Sequence, residues 1–316
     1  MKDNFDNIGN MDTFFRNLFI IVGKSLPQRE SVIIFNEVQL YPKAKQAIKH
    51  LVKDGRYDYI ETGSLISINK NVKDILIPSE EESIQMYPMD FEEFLWAIGN
   101  NLYADVIREA YKNRKPLGAD NHRRIMQTFR NYLAVGGMPQ AVSAYVDGKD
   151  FVSIDRVKRK PEVALELYAD KSRFKMFMGD TGLLVTYILQ NSKETPEKLY
   201  RSLVLDDIDI NQGMIFENMV AQMLRVSGYD LYFHEYDYKA AENESQKHYE
   251  IDFLIVKGKR IVPIEVKSSD YKNHKSFDYF KEKYQLKMNE RYIIYTKDVE
   301  WKDDILFMPI YMTMCL

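Results

Sequence analysis

The sequence predicts an α/β protein, on three observations. A continuous apolar run over residues 31–39 ends in polar side chains and is followed by a helix pattern and a second strand at 57–62, the order of a parallel crossover unit. Helix patterns with their own start and stop signals fill the middle of the chain. Two strand-patterned runs, 249–256 and 261–267, flank a short turn at Gly258-Lys259, the order of an antiparallel hairpin.

The elements follow in order. The run ending Phe35-Asn36-Glu37-Val38-Gln39 has the character of a buried parallel strand whose carboxyl end meets a ligand crevice. Pro42 opens the next helix, with Ala44, Ala47, Ile48 and Leu51 as its apolar face, and Tyr57-Asp58-Tyr59-Ile60-Glu61-Thr62 returns as a strand ending in Thr62-Gly63-Ser64. Asp90 and Glu93 form a capping box ahead of Phe94 and Leu95. A helix over 123–133 is stopped by Gly136-Gly137, and Pro139 starts another. Further on, Ile215, Met219, Val220 and Met223 form the stripe of a helix on which Glu217 lies off the apolar face.

Composition bounds the function. The 316 residues, 45% hydrophobic and 29% charged, suffice for two domains with substantial cores. A formal charge of −3 excludes a global basic field. Between Val256 and Lys287, however, nine Lys or Arg stand against four acids, a local +5 interleaved with Tyr271, Phe277, Tyr279 and Phe280, which suits either a phosphate backbone or a solvated amphipathic helix. Cys315 is the only cysteine, excluding disulfides within the chain and cysteine-cluster zinc sites. The five histidines never fall at His-x-x-x-His spacing, no apolar stretch reaches the ~18 residues needed to span a bilayer, and the first residues carry acids without an apolar stretch. A cytoplasmic protein with no membrane partner is the expectation.

The hairpin carries the sharpest chemistry. With Gly258-Lys259 as a two-residue turn, Lys257 faces Arg260, and counting along the ladder sets Asp252 opposite Glu265. Facing Cβ atoms lie roughly 4.5–5.5 Å apart, so two carboxylates there call for a cation, and a divalent metal is the obvious candidate. Lys267, two residues past Glu265, shares that face, while Ile251, Phe253, Ile255, Val262, Ile264 and Val266 form the other. The same residues also fit a plainer reading as charges on a solvated strand face.

Asp252 followed by Glu265-x-Lys267 resembles the PD-(D/E)xK nuclease core. The resemblance implies that the acids bind Mg²⁺, that Lys267 helps to activate a water, and that Glu217 joins the metal site. In the first half, Phe-Asn-Glu-Val-Gln and Glu-Thr-Gly-Ser-Leu resemble the Walker B and sensor strands of AAA-type ATPases. By position this implies a water-mediated Mg²⁺ contact at Asn36, a general base at Glu37, and a γ-phosphate sensor at Thr62 or Ser64, all serving ATP. Together with Tyr-Pro-Met-Asp-Phe-Glu-Glu-Phe-Leu, Gly-Gly-Met-Pro, Gly-Asp-Thr-Gly-Leu-Leu, Phe-Glu-Asn and Glu-Val-Lys, the chain is similar from about Phe14 to about Tyr295 to bacterial and archaeal AAA-type ATP-binding proteins. These carry a C-terminal domain of unknown function with a nuclease-like end.

Two departures bear on function. Asn36 replaces an aspartate, so it lacks the charge that helps hold Mg²⁺. No Gly-x-x-x-x-Gly-Lys-Ser/Thr loop exists, since Gly23-Lys24-Ser25 has Leu18 where the first glycine belongs and Pro27 close behind. The family's helical insert is also short here, with residues 155–161 running almost directly into the next segment. The expected layout is an incomplete AAA-like parallel-sheet domain over 1–100, a helical lid over 101–160, and a nuclease-like α/β domain over 161–316. Three functions follow: an ATP-binding family member with a degraded nucleotide site, a Mg²⁺-dependent nuclease acting on DNA, or an inactive DNA- or protein-binding module. Surface exposed by the missing pieces predicts association with a protein partner or a second copy.

Overall fold

A computed structural model describes residues 10–38, 42–63, 82–148, 150–158, 175–189, 195–205, 212–239, 245–258, 260–268, 274–284, 290–302 and 304–316. The chain divides into two units, Met1–Gln85 and Met86–Leu316.

In the first unit, helix α1 (Met11–Val22) starts on Asn10, whose side chain accepts the Thr13 N–H, and ends at Gly23 with φ of 74°. Strand β1 (Val32–Phe35), helix α2 (Pro42–Asp54) and strand β2 (Asp58–Glu61) follow. The strands pair in parallel with Ile33 opposite Tyr59, the crossover unit that the sequence predicts. Ile33 and Phe35 turn inward with Phe14, Phe15, Leu18, Ala47 and Leu51. The opposite face differs from the buried strand expected: Val32, Ile34 and Ile60 are 51%, 61% and 49% exposed. A parallel strand is buried on both sides only where both sides are covered, and here the described residues cover one.

The second unit begins with α3 (Phe91–Ala97), whose capping box is formed reciprocally by Asp90 and Glu93. Helices α4 (Asn101–Asn113), α5 (Ala119–Val135), α6 (Pro139–Val146), α7 (Phe151–Lys158), α8 (Thr181–Leu189), α9 (Pro196–Leu205) and α10 (Gln212–Val226) follow. Next come β3 (Tyr232–Tyr238), β4 (Lys247–Lys257), β5 (Arg260–Val266), α11 (Lys275–Tyr284), β6 (Arg291–Tyr295), β7 (Glu300–Lys302), β8 (Ile305–Pro309) and a 3₁₀ turn over Ile310–Cys315. The six strands lie in the order β3-β4-β5-β6-β8-β7. Pro263 falls just before β5 begins to pair with β6 at Ile264, where its missing N–H interrupts no ladder.

Helices 101–158 are not a separate lid. Phe129 and Tyr132 of α5 share one core with Met219 of α10, Ile264 of β5 and Tyr311 of the 3₁₀ turn, so the helical segment and the C-terminal sheet form one body. The Gly-Gly and Gly-Asp-Thr-Gly segments lock it. Asp180, fully buried, accepts the Gly137 N–H at 2.5 Å and the Leu183 N–H at 2.9 Å, and a Cβ on Gly182 would stand 2.4 Å from the Gly136 Cα. A smaller core lies under α11, where Phe277 and Phe280 meet Tyr236, Ile251 and Ile293.

Candidate functional sites

Each unit has its own polar constellation. In the first, the two parallel strands end side by side, so Asn36, Glu37 and Thr62 are set together by the crossover alone. The Thr62 Oγ1–H donates to Asn36 Oδ1 at 2.6 Å, and the Glu37 N–H reaches Thr62 Oγ1 at 3.4 Å. Glu37 holds φ of 55°, a left-handed conformation unusual for a residue with a side chain. Ser64 lies outside the described residues. A cleft of about 450 Å³ in this unit includes Gly23, Lys24 and Ser25 among its lining residues, together with Arg16, Arg56 and Tyr57. It lies where the chain enters the two strands, while Asn36, Glu37 and Thr62 stand where it leaves them.

In the second unit the hairpin register runs as expected from Lys257–Arg260 to Phe253–Ile264. It then departs. Ile251 packs in the small core under α11, whereas Phe253, two residues on, packs in the main core with α10. A regular strand cannot do this, because residues two apart share a face. Against β3, Tyr232 pairs with Leu254 but His234 with Ile251, so three steps of β4 span two steps of β3. This is a β-bulge of one residue at Asp252-Phe253, and it re-aims Asp252.

The expectation that Asp252 and Glu265 share one spot is therefore corrected. Glu265, between the main-core residues Ile264 and Val266, faces α11, where it accepts the Ser276 hydroxyl at 2.8 Å and pairs with Lys267 at 2.5 Å. Asp252 turns to the opposite face, and its Oδ2 accepts the Val266 N–H at 2.7 Å. Of the four residues expected to converge, Glu217 and Asp252 do so, and Glu265 and Lys267 form a separate pair.

Two residues that sequence reasoning missed complete the group around Asp252. Glu250 shares its face, and one carboxylate oxygen each from Glu217, Glu250 and Asp252 lie within 4.8 Å of one another. Lys175 stands among them: its Nζ is 2.5 Å from Glu217, in contact with Glu250, and 3.9 Å from Asp252. The signal for Glu250 was present in the alternation Glu250-Ile251-Asp252; nothing local marks Lys175, which is brought in from a distant segment by Phe177 packing on Phe253 at 5.6 Å.

Electrostatics fit this arrangement. Burial raises the Asp252 pKa to about 7, the Val266 N–H and Lys175 opposing the rise while Glu217 and Glu265 add to it. Burial works against the Lys175 ammonium, but hydrogen bonds to Glu217 and Glu250 outweigh it, and its pKa is raised. The Mg²⁺ site implied by the nuclease resemblance does not fit these residues: its two acids face opposite sides of the sheet, and the carboxylates that do gather already surround an ammonium.

Residues 3–95 match the model of an AAA domain, and residues 212–313 match the model of a domain of unknown function, DUF4143. No curated protein and no solved structure matches the chain. Among the described residues, no helix is long and apolar enough to cross a membrane.

Proposed function

Taking an AAA domain followed by DUF4143 as the premise, we propose that this chain binds a nucleotide without hydrolysing it unaided, and that its second unit is a binding module. The observation that carries this reading is the hydrogen bond from Thr62 to Asn36. The strand ends that read a nucleotide's phosphates are retained and preorganised, and Glu37 beside them keeps the carboxylate of a general base. Turnover needs more. A phosphate loop supplies backbone N–H groups and a lysine to the β- and γ-phosphates, and the sequence has none. Asn36 brings no charge to Mg²⁺, and its carbonyl oxygen is engaged by Thr62.

Metal-dependent cleavage of DNA is not part of the proposal, for the geometric reason given above. A phosphate-tracking patch over 256–287 is also weakened. Lys257 donates to the Tyr111 and Tyr292 hydroxyls, Lys267 pairs with Glu265, Lys281 with Asp304, and Lys283 donates to the Asp237 carbonyl. Cations engaged in this way neutralise fewer phosphates and so release fewer counterions from a polyanion. Protein contact is the remaining role for the second unit, and the exposed Val32, Ile34 and Ile60 of β1 and β2 support association through the first unit as well.

The test is a titration with fluorescent ATP beside a phosphate-release assay, both with Mg²⁺. We expect weak saturable binding, reduced by Thr62→Val, and no phosphate release. Release abolished by Glu37→Gln would overturn the lack of turnover, and absence of any binding would remove the nucleotide from the proposal. Association is checked by light scattering, where a monodisperse monomer at high concentration would count against it.

A further inference from the structure

We infer that Lys175 is a tethered replacement for a metal ion: its ammonium occupies the cation position among Glu217, Glu250 and Asp252, so the second unit holds its carboxylates together without a divalent cation. The inference goes beyond the nucleotide reading and stands if that reading fails.

Three features of the geometry support it. The carboxylates come from two elements, Glu217 from α10 and Glu250 with Asp252 from β4, and the bulge is what aims Asp252 at the other two. Negative groups gathered at this spacing repel one another unless a cation lies between them. Lys175 supplies one. Its single ammonium, with three N–H donors, donates to Glu217 and touches Glu250, and lies close enough to Asp252 for direct attraction.

The second feature is enclosure. The Lys175 side chain is 23% exposed, Asp252 20% and Glu217 27%, with Glu250 at 37% the most open, so the ammonium offsets part of the carboxylates' charge from within a half-enclosed group. The third is anchorage. Phe177 packs on Phe253, and the Met178 N–H donates to the Asn218 side chain at 2.7 Å, so the backbone that carries Lys175 is fixed on the same two elements that carry the acids. A lysine held on both sides is a resident group, and a divalent ion entering the site must expel it.

The consequence is measurable by metal binding alone. Mn²⁺ is titrated into the full chain and read by electron paramagnetic resonance, with the melting temperature recorded with and without the ion. The wild type is expected to bind no Mn²⁺ at this group and to melt at an unchanged temperature. Lys175→Met leaves three carboxylates without their cation, and we expect it to gain a site with a Kd of about 10⁻³ M or tighter, at least tenfold stronger than any wild-type binding. Glu217→Gln added to Lys175→Met should remove that site.

Wild-type binding abolished by Asp252→Asn would overturn the inference, because the metal would then be the natural occupant. Failure of a folded Lys175→Met to bind would overturn it too, since the position would then not be one for a cation. Should Lys175→Met not fold, Lys175→Gln combined with Glu250→Gln removes one charge of each sign. It should still gain Mn²⁺ binding through Glu217 and Asp252, and its silence would count against the inference in the same way.

Discussion

The two units differ in what they keep. The first brings Asn36, Glu37 and Thr62 into contact at its strand ends, on a scaffold of two strands that the described residues cover on one face. The second has a six-stranded sheet with cores on both faces, yet one extra residue in β4 divides the constellation expected of it. Short parallel strands set their end residues side by side even on a thin scaffold, whereas a group spread along a hairpin depends on every step of its register.

The largest test of this contrast is Gly182→Ala. Its new Cβ would press on the Gly136 backbone inside the better-packed unit, and we expect a loss of about 3 kcal/mol in urea unfolding. A change near zero would mean that the contact between the two glycine segments is not tight in solution. Next comes the first unit, where adjacent residues of β1 should behave oppositely. Ile33→Ala should cost about 2 kcal/mol, while Ile34→Ala should stay within about 0.5 kcal/mol, because only Ile33 is buried. Equal costs would indicate that something covers the outer face.

The last test is a dependence on pH, small for any single step of pH. The folded Asp252 keeps its proton up to about pH 7, while the unfolded chain loses it near 3.8. Between those values the folded state binds more protons, so this residue's contribution to stability declines as pH rises, by at most about 1.4 kcal/mol per pH unit. Asp252→Asn, which can still accept the Val266 N–H, should flatten that slope; an unchanged slope would show that Asp252 is ionised at an ordinary pH.

Much of this was legible in the sequence. The crossover from β1 to β2, the Asp90 box, the helix stop at Gly136 and the hairpin register down to Phe253 follow from apolar periodicity and turn residues. The bulge does not. Tyr249, Ile251, Phe253 and Ile255 continue an unbroken apolar alternation through it, with Glu250 and Asp252 between them, so the pattern gives no sign that the register changes. Lys175 was hidden for a different reason, since its partners lie at positions 217, 250 and 252 and only tertiary packing unites them. The open face of β1 was misread because an apolar run specifies a surface that needs covering without specifying what covers it.

The 3₁₀ turn at Ile310–Cys315 has a consequence for biosynthesis. Tyr311 lies against Phe129 and accepts or donates a hydrogen bond with His122, and Ile310, Met312 and Met314 pack in the same core as Phe91, Phe94 and Tyr132. Helices made early thus find their apolar partners some 180 positions later. On the ribosome, the core of the helical half cannot be completed until those residues emerge, because Ile310, Met312 and Met314 belong to it.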